Sequence, residues 1–226
     1  MKSFKTITPT YTISPPSTTL VTFLEDGSLF MGDALSKKLL QFDKNLEMIK
    51  AGNIGEGVVH MEESEDAYWI LSMGSFSPTD QASGMLLHLP KSENNRAQII
   101  ADQLNRPVHA AYGDLNQDGL DDIVINEFGK WKGQLRVLYN QGYNNFDPTI
   151  LANQTGATKS ILQDFNDDGR LDIIALFAQG KEEIALFYNQ GNGQFDQTTI
   201  LSFSPSHGST NMDLIDFDMD GDWDIL

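Results

Sequence analysis

Asp114-Leu-Asn116-Gln-Asp118-Gly119-Leu-Asp121-Asp122 is the stretch on which the fold turns. It recurs as Asp164-Phe-Asn166-Asp-Asp168-Gly169-Arg170-Leu-Asp172 and again as Asp216-Phe-Asp218-Met-Asp220-Gly221-Asp222-Trp-Asp224. The copies are 50 and then 52 residues apart. A period of that size marks a repeat array, so the surrounding sequence reads as copies of one unit. Each copy carries oxygen side chains at positions 1, 3, 5 and 9 and glycine at position 6. This is the layout of a loop wrapped around a hard cation.

Working outward, short apolar strands and turn signals alternate roughly every ten residues. Before the first loop stands the strand 107–112. After it come 122–125, 135–139 and 146–151. The next unit repeats the order with 158–163, the second loop, 172–177, 184–188 and 195–201. A second motif keeps the same phase: Tyr139-Asn140-Gln141-Gly142 aligns with Tyr188-Asn189-Gln190-Gly191 at an offset of 49. There Asn and Gly accept the positive φ of a tight hairpin. Upstream, 18–24, 28–31, 38–42 and 47–51 form one group, and 57–61, 67–72, 84–89 and 97–101 another. A fifth unit begins at 211–215, passes its acidic loop and reaches Leu226. No segment holds a helical period. Tandem four-stranded antiparallel units of this length predict an all-β fold, a β-propeller with four complete blades and the start of a fifth. The expected division is a segment 1–16, two blades without acidic loops over 17–105, and loop-bearing blades over 106–226. Residues 5–13 read as a strand that could close the ring.

The loop chemistry points to Ca2+. Alternate residues of a tight loop face inward, which brings Asp114, Asn116, Asp118 and Asp122 toward one centre. Asp164, Asn166, Asp168 and Asp172 do the same in the second loop, and Asp216, Asp218, Asp220 and Asp224 in the third. Position 7 can add a backbone carbonyl, from Leu120, Arg170 or Asp222. No His or Cys occurs in any loop, which disfavours zinc and copper. An EF-hand would need Glu at position 12, where Ile125 and Ala175 stand instead. Asp, Asn and Gly are also ordinary turn formers, but three copies in register go beyond turn formation.

The D-x-[DN]-x-D-G-x-x-D loop, the apolar strand after it and the Tyr-Asn-x-Gly hairpin resemble the FG-GAP/VCBS repeats. These build propellers in integrin α subunits and in many bacterial extracellular proteins. Phe128-Gly129 supplies a literal Phe-Gly, while Phe177-Ala178 departs from it. The resemblance covers 107–226 and implies a calcium-binding propeller, usually of seven blades, so a longer ring is expected. It also implies a secreted, periplasmic or cell-surface location. A binding or scaffold role for a protein or carbohydrate partner follows. The alternatives are a propeller-fold polysaccharide lyase or glycoside hydrolase, and a sugar-binding lectin.

Composition narrows the partners. The 226 residues carry 32 Asp+Glu against 15 Lys+Arg, a formal net charge of -17. That argues against nucleic acid and anionic membranes, which need clustered Lys and Arg. The chain has no Cys, so no disulfide forms. No apolar run is long enough to span a membrane, and no apolar stretch follows the positive charges of residues 1–5 to make a signal peptide. No Gly-x-Ser-x-Gly or phosphate-cradling loop is present, and no catalytic residue is assigned. If the acidic loops join first to second strands, they share one end of the blades, and partner contacts are expected at the other. Arg106, His109, Trp131, Lys159 and His207 are the candidates there. Trp131, between Lys130 and Lys132, suits sugar stacking or an interface anchor. Trp69 is expected in the core and Trp223 beneath the third loop.

Overall fold

The structure is a computed structural model that describes residues 17–34, 36–55, 57–92, 96–205 and 208–226. The closing strand expected within 5–13 and the candidate His207 lie outside these residues. The chain is all-β and divides into two compact units, 1–107 and 108–226.

The first unit holds two four-stranded antiparallel meanders. One runs β1 (Thr18–Phe23), β2 (Leu29–Asp33), β3 (Lys38–Phe42) and β4 (Met48–Asn53). The other runs β5 (Val58–Glu63), β6 (Ala67–Ser72), β7 (Gly84–Pro90) and β8 (Gln98–Leu104). Its core lies between the two sheets, where Leu24, Phe30 and Leu39 meet Val58, Met61, Ile70 and Leu87. The other face of the first sheet buries Leu29, Met31, Leu40 and Phe42.

The second unit contains β9 (Pro107–Gly113), β10 (Asp122–Glu127), β11 (Gln134–Asn140) and β12 (Phe146–Ala152) as one meander. The next comprises β13 (Ala157–Gln163), β14 (Asp172–Phe177), β15 (Glu182–Gly191) and β16 (Gln194–Phe203). The short pair β17 (Leu214–Ile215) and β18 (Asp224–Ile225) begins a fifth blade. The expected strand at 211–215 is thus only two residues long, because its ladder has only those two partner residues in β18.

The burial pattern explains why the second strands read as unbroken apolar runs. Every residue of β10 and of β14 is buried. Ile173, Ala175 and Phe177 point to one side, into a core shared with Val124, Leu135 and Val137. Ile174 and Leu176 point to the other, toward Met212, Leu214 and Ile225. A strand sandwiched between neighbouring sheets needs apolar side chains at both parities, so alternation disappears. Burying one such side chain contributes about 1.5–3 kcal/mol.

The outer strands are the reverse, with Ile49, Ile99, Ile150 and Ile200 exposed. In all four complete blades the third and fourth strands pair with a register shift. Such bulges twist an exposed edge and hinder its pairing with another chain. Trp69 is half-buried and meets the His88 ring edge-on at 4.7 Å instead of entering the core.

Candidate metal centres

Each acidic loop joins the first strand of a blade to the second and folds in the same way. Position 4 has a positive φ in all three, at Gln117 (61°), Asp167 (58°) and Met219 (61°). Position 6 does too, at Gly119 (86°), Gly169 (83°) and Gly221 (97°). A Cβ on any of these glycines would meet nothing within 4 Å. Glycine is therefore set by backbone conformation, not by crowding.

The first carboxylate caps the turn. Asp114 accepts the N–H groups of Asp118 (3.1 Å) and Gly119 (2.8 Å). Asp164 accepts those of Asp168 (3.2 Å) and Gly169 (2.8 Å), and Asp216 those of Asp220 (3.0 Å) and Gly221 (3.1 Å). The side-chain oxygen at position 3, on Asn116, Asn166 and Asp218, accepts the N–H of position 5. The position-5 carboxylate accepts the N–H of position 7 in all three loops. Both oxygens of the first carboxylate thus accept from the backbone, and each keeps a lone pair that a shared centre could use.

Position 9 closes the loop from the second strand. Asp122 and Asp172 are fully buried. Asp122 accepts the N–H of Leu115 (3.0 Å) and of Asn140 (2.8 Å). Asp172 accepts those of Phe165 (3.1 Å) and Asn189 (2.7 Å). Asp224 accepts that of Phe217 at 2.8 Å. The acidic loop and the Tyr-Asn-x-Gly motif, separate in sequence, are thus one hydrogen-bonded device. Asn140 and Asn189 also return their side-chain oxygens to Gly142 and Gly191, both at 2.9 Å. Asn189 was not foreseen as a site residue. Its Nδ2 reaches Leu171 O (3.0 Å) and crosses to Leu115 O (2.8 Å) in the preceding acidic loop.

The electrostatics match a cation. Burial pushes the Asp122 carboxyl above the usual carboxylate range. The N–H groups of Asn140 and Leu115 pull it back, and the charges of Asp118 and Asp114 add to the rise. Burial also raises Asp164, but the N–H groups of Gly169, Asp168, Asn166 and Asp167 outweigh it and hold that carboxyl low.

In the third loop, one oxygen from each of Asp216, Asp218 and Asp224 lies within 4.8 Å of the others. Oxygens on opposite sides of one Ca2+ would be about 4.6–5.2 Å apart, given Ca–O distances of ~2.3–2.6 Å. The all-oxygen donor set and this spacing fit a hard divalent cation. Asp220 stands outside the triad and binds the N–H of Asp222. In the first loop Asn116 Nδ2 donates to Asp118 Oδ2 at 2.9 Å. In the second the Arg170 guanidinium pairs with Asp168 and its Nε donates to Asn189 O at 2.7 Å. Leu120 and Trp223 are exposed. Trp223 therefore does not pack beneath its loop.

The partner candidates are scattered in their roles. Arg106 Nε donates to Ser75 O at 3.2 Å and so holds its own unit's 73–84 loop. His109 is half-buried on β9. Lys159 forms an ion pair with Asp213 at 2.6 Å. Trp131 is 77% exposed, with the Lys130 ammonium 5.9 Å from its ring.

Known proteins agree with this architecture. An FG-GAP-like repeat model matches residues 114–175 and 164–226, together half of the chain. Among solved structures, the Dos1 propeller superposes with a TM-score of 0.57 at 9% identity. The superposition covers 88% of this chain and 49% of that one, so the chain spans about half its length. No curated protein sequence matches the chain. Repeat motif, blade topology and fold likeness coincide, and the chain belongs to the FG-GAP-like repeat family of β-propellers.

Proposed function

We propose that the chain is a calcium-stabilised propeller segment serving as a binding or scaffold module outside the cytoplasm. The observation that carries this reading is the oxygen triad of Asp216, Asp218 and Asp224, set in a loop whose turn recurs in two other blades. Bound there, Ca2+ supplies positive charge and no redox or proton chemistry. Asp114, Asn116, Asp118 and Asp122 would hold it in the first loop, and Asp164, Asn166, Asp168 and Asp172 in the second. Asp216, Asp218, Asp220 and Asp224 would hold it in the third, with the carbonyls of Leu120, Arg170 and Asp222 beside them. Millimolar extracellular calcium suits weak modular sites of about 10⁻⁴–10⁻³ M. FG-GAP-like repeats are typical of extracellular proteins, which supports the location, and propeller repeats suit protein contacts. No helix among the described residues is long and apolar enough to cross a membrane.

Equilibrium dialysis against Ca2+ followed by elemental analysis tests the reading. The wild type is expected to retain calcium, and an Asp216→Asn/Asp224→Asn variant to retain less. Equal retention by both, or none by either, contradicts the assignment.

A further inference from the structure

A second feature of the loop-bearing unit is unused by the metal reading. Beside the first acidic loop runs an open groove of about 530 Å³, within the ~300–1,000 Å³ of small-molecule sites. One wall is the face of a sheet. Tyr139 pairs across the ladder with Asp147, and Val137 with Thr149. Residues two apart share a face, so Tyr139, Gln141, Asp147 and Thr149 form one polar surface. The opposite wall is the β15–β16 hairpin of the next blade, through Asn192, Gly193 and Gln194. Asn116 and Asp118 close one end.

Two properties make this more than a wet crevice. First, the walls are fixed. Asn192 (53°) and Gly193 (72°) both hold positive φ, the conformation of a tight two-residue hairpin turn. A Cβ at Gly193 would only reach van der Waals contact with the Tyr139 hydroxyl, at 3.4 Å, so the two walls stand side by side and the turn's positive φ, not crowding, sets glycine there. Tyr139 itself packs against the unit's core. Second, the polar groups are uncommitted. The side chains of Gln141, Asp147, Thr149, Asn192 and Gln194 make no hydrogen bond to any described residue.

The lining chemistry selects the ligand. The groove's lining includes no Lys, Arg or His, and Asp147 adds a carboxylate outside the metal loop, so phosphate, sulfate and uronate find no cationic side chain there. Four amides and two hydroxyls supply donors and acceptors together. A Lys or Arg side chain carries donors only and would leave the amide N–H groups idle. A sugar hydroxyl both donates and accepts, and a carboxylate can take two neighbouring hydroxyls at once. An apolar peptide side chain would find no apolar pocket. We propose that this groove is a binding subsite for a neutral, hydroxyl-rich glycan. The assignment deepens the binding-module reading and rests on it.

The test uses the whole chain in calcium buffer with neutral glycans bearing terminal galactose, glucose, mannose or N-acetylglucosamine. Binding is read by amide chemical-shift changes and by titration calorimetry. At least one glycan is expected to bind, shifting the amides of Thr149 and Gln194. In Asp147→Ala/Gln194→Ala, which removes two exposed side chains, Kd should rise at least tenfold with an unchanged melting temperature. No shift with any glycan at millimolar concentration overturns the proposal. So does binding that the variant leaves intact, or binding of a Lys-rich peptide in place of the glycans. The calcium reading fails separately: glycan binding that survives together with a chelator-insensitive melting curve supports the groove and refutes the metal.

Discussion

The backbone N–H of Asn189 donates to Oδ1 of Asp172 at 2.7 Å, and both residues are fully buried. This bond joins the two repeated motifs of the blade. Asn189 then reaches Leu115 O in the preceding blade, so one residue ties a hairpin to two acidic loops. Replacing Asn189 by Ala would orphan buried carbonyls, at ~1–3 kcal/mol for each unsatisfied group. We expect Asn189→Ala to lose about 3 kcal/mol in urea unfolding. Asn140→Ala, at the equivalent but half-buried position, should lose about 1 kcal/mol. Equal losses would contradict the cross-blade role of Asn189.

Arg170 makes the second loop unlike the other two. Its guanidinium neutralises Asp168, the position-5 carboxylate. A fixed positive charge beside the site opposes an incoming dication, and ligand charge tunes calcium affinity. Calorimetric titration of Arg170→Ala should therefore show tighter Ca2+ binding than the wild type. Unchanged or weaker binding would show that the ion pair does not compete with the metal.

Glu183 gives a pH-dependent contribution away from the loops. Its side chain is buried and pairs with Lys181 at 2.6 Å and Thr199 Oγ1 at 2.7 Å. Burial raises its carboxyl, but hydrogen bonds from Lys181, Thr199 and Gln154 outweigh this and hold it below the usual value of 4.5. A depressed pKa adds stability that is fully present above the unfolded value and is lost as pH falls through the folded one. The stability gap between wild type and Glu183→Gln should thus be constant from about pH 7 to 5 and narrow below about pH 4.5. A gap that widens in acid would reverse the sign of the assignment.

Trp131 and Phe177 separate surface from core. Trp131 is 77% exposed and Phe177 is fully buried between sheets. Trp131→Ala should change stability by less than about 0.5 kcal/mol. Phe177→Ala should cost about 3–5 kcal/mol. A large loss at Trp131 would mean that it folds back over its blade.

The blade architecture was legible because a few positions carry it. Position-6 glycines, alternating loop carboxylates and the Tyr-Asn-x-Gly hairpin each require a particular residue type, so their period shows through 226 residues. Trp69 and Trp223 lie elsewhere than expected. On β6, burial does not follow apolar alternation, and Trp69 sits half-buried beside His88. Trp223 sits in an exposed loop, where strand alternation gives no guide. Asn189 looked like a turn former, since nothing local reveals a bond spanning 74 residues. The polar groove was invisible because its walls come from two blades, about 50 residues apart, that meet only in the folded chain.

The central claim is that calcium stabilises this fold through its acidic loops, and thermal unfolding tests it most directly. At 1 mM Ca2+, a site with Kd of about 10⁻⁴ M adds ~1.4 kcal/mol. Three such sites would raise the melting temperature by about 8–16 °C for a chain of this size. The account predicts a clear downward shift when a chelator is added to the calcium-loaded chain, reversed by excess Ca2+. Superimposable melting curves with calcium and with chelator would contradict it.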